Sequence, residues 1–171
     1  MLDSRLPYTT NYLLEKEMKY RDRSLSLVDK PAIALDTVKK FKLVFSTYTS
    51  KGSLVALKDL YATDAFLNDR ITCVEGSKKI SSYFKRSFDK YHFATFDYLQ
   101  TYWGDDDLIL KWVLATQLTP GETTKRFLGM SHLRFNQLGK IHYQQDFWDY
   151  SEAIGQKWGV GALVNEAKMQ A

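Results

Sequence analysis

Residues 127–149, FLGMSHLRFNQLGKIHYQQDFWD, read as two alternating, aromatic-rich strands joined by a short loop, with one carboxylate, Asp146, among large apolar residues. Steps of two along the first strand put Phe127, Gly129, Ser131, Leu133 and Phe135 on one face, and Arg126, Leu128, Met130, His132 and Arg134 on the other. The first face is predicted to be buried. The loop Asn136-Gln137-Leu138-Gly139 has glycine where a hairpin needs positive φ and asparagine where a side chain can bond its own turn. Beyond it the same parity sets His142, Gln144, Asp146 and Trp148 on one side, and Ile141, Tyr143, Gln145 and Phe147 on the other. Neither side is purely apolar, so one face is expected to border a wet or ligand-filled cavity and the other an interface.

Working outward, two more strands are expected, Phe93–Trp103 and Leu108–Leu118, ahead of the two above, whose full spans read Thr124–Phe135 and Ile141–Tyr150. The turn residues Asp105-Asp106-Asp107 and Pro120-Gly121 fall between them. Three consecutive acids lack the alternation, glycine and distant glutamate of a helix–loop–helix calcium loop, so they read as a turn. Upstream, Asp36 is predicted to cap a helix reaching Tyr48, with Val38, Phe41, Val44, Phe45 and Tyr48 recurring at three and four residues and Lys51-Gly52 closing it. A short helix, Leu54 to Leu60, follows the cap Ser53. A third, Ser77 to Tyr91, sets Ile80, Tyr83, Phe84 and Phe88 against Lys78, Lys79, Lys85 and Arg86. Helices followed by an antiparallel sheet define an α+β class. Three segments are expected: an N-terminal extension 1–35 with a short amphipathic arm at 8–22, a domain at 36–150, and a C-terminal helical segment at 151–171. The extension would cover the pocket mouth or swap onto a neighbour.

At 171 residues and 44% hydrophobic content, one domain with a real core suffices. The 15% aromatic content is high, and it points to a pocket or an oligomer interface. The net charge of +4 is uneven: residues 36–90 hold eleven Lys and Arg against six Asp and Glu, and residues 91–171 seven against nine. Runs such as Lys39-Lys40-Phe41-Lys42 read as solvated helix faces, and no nucleic-acid-binding signature accompanies them. One cysteine, Cys73, and three histidines without helical pair spacing imply neither a disulfide framework nor a metal site. No apolar run approaches the roughly 20 residues that cross a bilayer, and the first residues lack a signal-peptide core. A soluble, cytoplasmic protein is expected.

The segments Tyr61-Ala62-Thr63-Asp64-Ala65-Phe66-Leu67-Asn68-Asp69, Val74-Glu75-Gly76 with Ile80 and Tyr83-Phe84, then GMSHLRF, GKI and DFWD, occur in the order and spacing of the nuclear transport factor 2-like superfamily. Across residues 36–150 the chain resembles its SnoaL-like branch. The resemblance implies a cone of three N-terminal helices packed on a strongly curved, mainly antiparallel sheet around a deep pocket, with a short C-terminal helix here. It does not imply one activity, because this superfold hosts isomerases, dehydratases, cyclases, epoxide hydrolases and plain binding modules.

The resemblance to ketosteroid isomerases puts Asp69 at the place of the general base, with Arg70 where that family has proline. The places of its oxyanion hole hold Phe45 and Ser131, and a phenylalanine donates no hydrogen bond, which argues against steroid-type isomerisation. Similarity to polyketide cyclases and limonene epoxide hydrolases places a catalytic acid at Asp146. The hydrolases' second acid is missing from Leu110-Lys111-Trp112-Val113, leaving Asp69 to supply a carboxylate from the opposite wall. Burial among Phe127, Phe147 and Trp148 would raise the Asp146 pKa and make it a general acid or base. Alternatively it bonds His142 or Tyr143, or pairs with Arg134, to lock the sheet, and Asp69 caps a turn. Candidate catalytic residues are therefore Asp146 and Asp69. Candidate ligand-binding residues are Phe45, Trp112, Phe127, Ser131, Tyr143, Gln144 and Trp148. The expected function is binding of a small apolar organic ligand by a homodimer, with cofactor-free acid–base chemistry, and the alternative is a non-catalytic binding or interaction module.

Overall fold

The computed structural model describes residues 10–46 and 53–149. In chain order the elements are α1 (Thr10–Arg21), α2 (Ala32–Ser46), α3 (Ser53–Leu60), β1 (Tyr61–Asn68), β2 (Cys73–Glu75), α4 (Ser77–Phe88), β3 (Phe93–Trp103), β4 (Leu108–Gln117), β5 (Lys125–Phe135) and β6 (Ile141–Trp148). The six strands form one sheet in the order β2-β1-β6-β5-β4-β3, antiparallel except where β1 runs parallel to β6. This is the expected α+β architecture. The segment 151–171 and the closure at Lys51-Gly52 lie outside the described residues.

The inner face of the sheet is filled by α2, α3 and α4. Val38, Phe41, Val44, Phe45, Leu57, Ile80, Phe84 and Phe88 meet Leu108, Leu110, Trp112, Leu133, Phe135 and Ile141 in one core. Alternation along β5 holds as predicted on that face, since Phe127, Gly129, Ser131, Leu133 and Phe135 are all buried. The β5–β6 loop also behaves as read: Gly139 has φ +70°, and Asn136 Oδ1 accepts from the Leu138 and Lys140 amides at 3.0 Å each.

Three local readings are corrected. α2 starts at Ala32, one turn before Asp36, because Pro31 supplies the pre-set φ and free carbonyl of a helix start and accepts from the Ala34 and Leu35 amides. Asp36 instead pairs with Lys40 one turn later, at 2.6 Å. Residues 61–68, quoted above only as a motif, form a central strand. Finally, the parity of β6 breaks at its start. Arg134 pairs Tyr143 and Phe135 pairs Ile141, so His142 is the extra residue of a bulge. Ile141 thereby joins the inner core, and His142 turns outward onto the Tyr20 ring, 5.2 Å away.

The outer face is partly covered by the chain's own N-terminal helix. Tyr20 of α1 packs on Phe66 and Tyr143, and its hydroxyl donates to the Asp64 carbonyl at 2.6 Å. The segment after α1 is tied down by Leu25 N–H to the Phe135 carbonyl at 2.7 Å and Leu27 N–H to the Asp105 carbonyl at 2.6 Å. α1 therefore packs on its own sheet, on the face opposite the inner core. On this face His132 and Arg134, which alternation alone places toward solvent, are also buried. Arg134 meets Asp106 at 2.7 Å and Glu17 and Asp107 at 3.6 Å each, and His132 Nε2 lies 3.0 Å from Asp107 Oδ2. The acidic turn is thus the counter-charge of the buried Arg134 and a hydrogen-bond partner of His132. No helix among the described residues is long and apolar enough to cross a membrane. None of their His, Cys, Asp or Glu side chains forms a metal-holding group of three or more.

Candidate functional site

Between the inner sheet face and α4 lies a cavity of about 190 Å³. Its wall includes both candidate acids, Asp69 and Asp146, with Trp112 and Leu114 from β4, Phe96 from β3, Trp148 from β6, and Tyr83 and Phe84 from α4. Ile71, Ser87, Lys90 and Tyr91 complete it. The wall is mainly aromatic, and the two acids are each 8% exposed.

The acids are neighbours. β1 runs parallel to β6 with Asn68 paired to Gln145, so the next residues, Asp69 just past β1 and Asp146 within β6, lie side by side rather than facing from opposite walls. Each has its own support. Asp146 accepts from Gln144 Nε2 at 3.0 and 3.1 Å and from the Ser131 hydroxyl. His142, Tyr143 and Arg134, the alternative partners, are engaged on the outer face. Asp69 Oδ1 accepts from the Ile71 and Thr72 amides at 3.0 and 2.9 Å, the turn-capping role. Its Oδ2 accepts from the Tyr83 hydroxyl. Arg70 has φ +76°, which a proline ring cannot adopt, so this loop departs from the isomerase pattern in backbone as well as in sequence.

Burial pushes the Asp146 carboxyl up to about 7, against the hydrogen bonds from Ser131 and Gln144 and with added repulsion from Asp69. Burial raises Asp69 to about 6, opposed by the backbone amides of its turn. Near neutral pH the pair therefore holds on the order of one proton between two acids, a donor and an acceptor side by side.

These shifts have a measurable consequence for stability. Between about 4 and about 7 the folded chain keeps protons on Asp69 and Asp146 that the unfolded chain has released. These groups therefore make stability fall as pH rises through that window. Burial holds His142 down to about 4 from its ordinary 6.5, so it works oppositely, and stability falls as pH drops below 6.5. Asp146→Asn is expected to remove one of the two falling contributions, so that from pH 4 to 6.5 its melting temperature falls less, or rises more, than that of the unmodified protein. Thermal melts across this range test it, and parallel curves for the two proteins would refute the buried-acid account.

Of the sequence-predicted ligand residues, Trp112 and Trp148 are on the cavity wall. Ser131 and Gln144 stand behind it: Ser131 accepts from Trp112 Nε1 at 2.9 Å and Gln144 holds Asp146. Phe45 is a core residue packed against Phe84 and Phe96, with ring centroids 5.0 and 5.6 Å away. Phe127 packs edge-on against Trp148 at 5.9 Å. Tyr143 belongs to the outer cluster with Tyr20 and Phe66. Tyr83, Phe84 and Phe96 were not singled out as ligand residues. The apolar face of α4 carries the first two, and the register pairing Phe96 with Leu114 carries the third.

No protein-family model and no curated protein matches the sequence. Among solved structures, a nuclear transport factor 2-like protein of unknown function from Exiguobacterium sp. 255-15 is similar, with 15% identity, TM-score 0.58, and coverage of 66% of this chain and 98% of that one. A protein from Jannaschia sp. CCS1 described as a SnoaL-like polyketide cyclase gives 10% identity, TM-score 0.61, and coverage of 72% and 92%. An LEH-like epoxide hydrolase from Mycobacterium tuberculosis gives 12%, 0.55, and 69% and 84%. The fold is thus the nuclear transport factor 2-like fold, in the form seen in SnoaL-like and ketosteroid isomerase-like proteins.

Proposed function

We propose that this chain binds a small, largely apolar organic molecule in the cavity and performs cofactor-free acid–base chemistry on it, of the isomerising, cyclising, dehydrating or epoxide-opening kind. The observation that carries this is the pair of adjacent acids raised to about 6 and about 7 on one aromatic-lined wall. Asp146 is the central acid or base and Asp69 the second carboxylate. Size narrows the substrate. An apolar cavity of about 150 Å³ accepts benzene, so the enclosed part of this one, about 190 Å³, suits one ring with a small substituent.

One observation favours a second reading, a non-catalytic binder. Both Asp69 oxygens are taken by its own turn and by Tyr83, so this acid has a sufficient structural role. In either reading the uncovered part of the outer sheet face, where Leu128, Met130 and Phe147 are 58%, 43% and 39% exposed, is the proposed homodimer surface.

Native mass spectrometry of the purified protein, before and after gentle denaturation, tests both parts. A dimer releasing a one-ring compound that the protein then converts is the expected result. A protein that turns over no member of a panel of single-ring epoxides and enones, yet holds one of them tightly, favours the binder. A monomer removes the interface.

A further inference from the structure

We propose that Tyr61 is a positioning residue for Asp146, acting through Gln144 by locking that amide with its NH2 toward the carboxyl. This rests on Asp146 being the proton-handling group of the site. Tyr61 and Gln144 are 1% and 2% exposed, out of reach of bulk water. The Tyr61 hydroxyl donates to Gln144 Oε1 at 2.6 Å, and Gln144 Nε2 lies 3.0 and 3.1 Å from the two Asp146 oxygens. A primary amide has one accepting and one donating end. With its oxygen held by a phenol, the donating end must face the acid, where it stabilises the ionised form. Burial and the nearby Asp146 keep the Tyr61 phenol protonated, so it remains a donor. Without that hydroxyl the amide is free to turn. Its oxygen would then repel a carboxylate and accept from a carboxylic acid, favouring the protonated form.

The other groups facing Asp146 leave this arm distinct. Ser131 on β5 takes its hydrogen bond from Trp112, which leaves its own hydroxyl proton for Asp146. Tyr98 on β3 is held protonated by burial and by Asp146 itself. Asp69, beyond β1, adds repulsion and is bonded by Tyr83 of α4, while Lys90, past the end of α4, is on the cavity wall. None of them touches the Gln144 oxygen.

The test is carboxyl carbon-13 NMR titration of Asp146, assigned with Asp146→Asn, in Tyr61→Phe, Gln144→Met and the double variant. Tyr61→Phe is expected to raise the midpoint by about one pH unit, the weight of one hydrogen bond to a charged group. Gln144→Met is expected to raise it at least as much, and the double variant no further. An unchanged midpoint in Tyr61→Phe overturns the proposal, and so does an equal added shift on the Gln144→Met background, which would mean direct action. Should a variant fail to fold, the unmodified protein still decides. Its Gln144 side-chain amide resonances must move with the Asp146 midpoint, and a flat trace is a refutation. No substrate enters these measurements, so a failure of the functional reading shows up separately, as absent turnover.

Discussion

Asp146→Asn is expected to lower turnover by about 10² to 10⁴ while leaving the ligand bound. Asparagine keeps the shape of the side chain and an oxygen that Gln144 Nε2 can still reach, so the cavity wall is preserved. What disappears is the exchangeable proton. Because two coupled acids lie at about 6 and about 7, turnover in the unmodified protein is expected to trace a bell with limbs near those values. Asp69→Asn should remove one limb and also lower the Asp146 midpoint, since it deletes the neighbouring charge. It keeps an oxygen for the Ile71 and Thr72 amides, so the turn survives. Turnover, affinity and melting temperature of the three proteins against pH measure all of this. If Asp146→Asn retains activity, the site assignment fails; if it loses ligand together with activity, Asp146 is a binding group and no acid–base role follows. Stability supplies an independent check, because removing a buried acid that resists ionisation should raise the melting temperature of Asp146→Asn near neutral pH.

How far the sequence could be read depended on whether a residue's environment is set by its own strand. Alternation placed Phe127 to Phe135 correctly, because a period of two needs no knowledge of partners, and the Asn136–Gly139 loop carried its own turn chemistry. His132 and Arg134 obey the same alternation and still are buried, because their partners come from distant parts of the chain: Asp106 and Asp107 before β4, and for Arg134 also Glu17 of α1. Their acidic partners at 106 and 107 read as a solvated turn for the same reason. The bulge at His142 is invisible to a periodic reading and reverses the residues before it. The adjacency of Asp69 and Asp146 follows from one parallel pairing, β1 with β6, and neither strand signals its partner. Recognition of the family order supplied both acids, but it could not say that they share a wall. Tyr61 was legible only as part of a motif, since its meaning lies in a bond to residue 144.

Gly129→Ala is expected to be strongly destabilising and to close the cavity. Gly129 on β5 pairs directly with Trp112 on β4 and with Trp148 on β6, so indoles flank it across both neighbouring strands. A Cβ at this position would lie 2.2 Å from Trp112 Cη2 and 2.5 Å from Cζ2 and Cζ3. That ring cannot simply step aside. Its Nε1 donates to Ser131 at 2.9 Å, and Phe96 holds it edge-on at 5.0 Å. The indole must either swing into the cavity it lines or force β4 and β5 apart. Overpacking of this kind costs about 1–3 kcal/mol, and a lost buried hydrogen bond about 1 more. A fall in melting temperature of roughly 5–15 °C follows. Loss of ligand should accompany it, because the space freed around Gly129 is the space taken from the pocket. Trp112→Phe discriminates between this collision and any other fault at Gly129, since it deletes the benzo ring that carries the three clashing atoms. Combined with Gly129→Ala it should recover stability relative to Gly129→Ala alone. A Gly129→Ala protein that melts with the unmodified one would mean that the indole has room to move. Trp112 would then be a mobile wall, and the size limit drawn from the cavity would have to be relaxed.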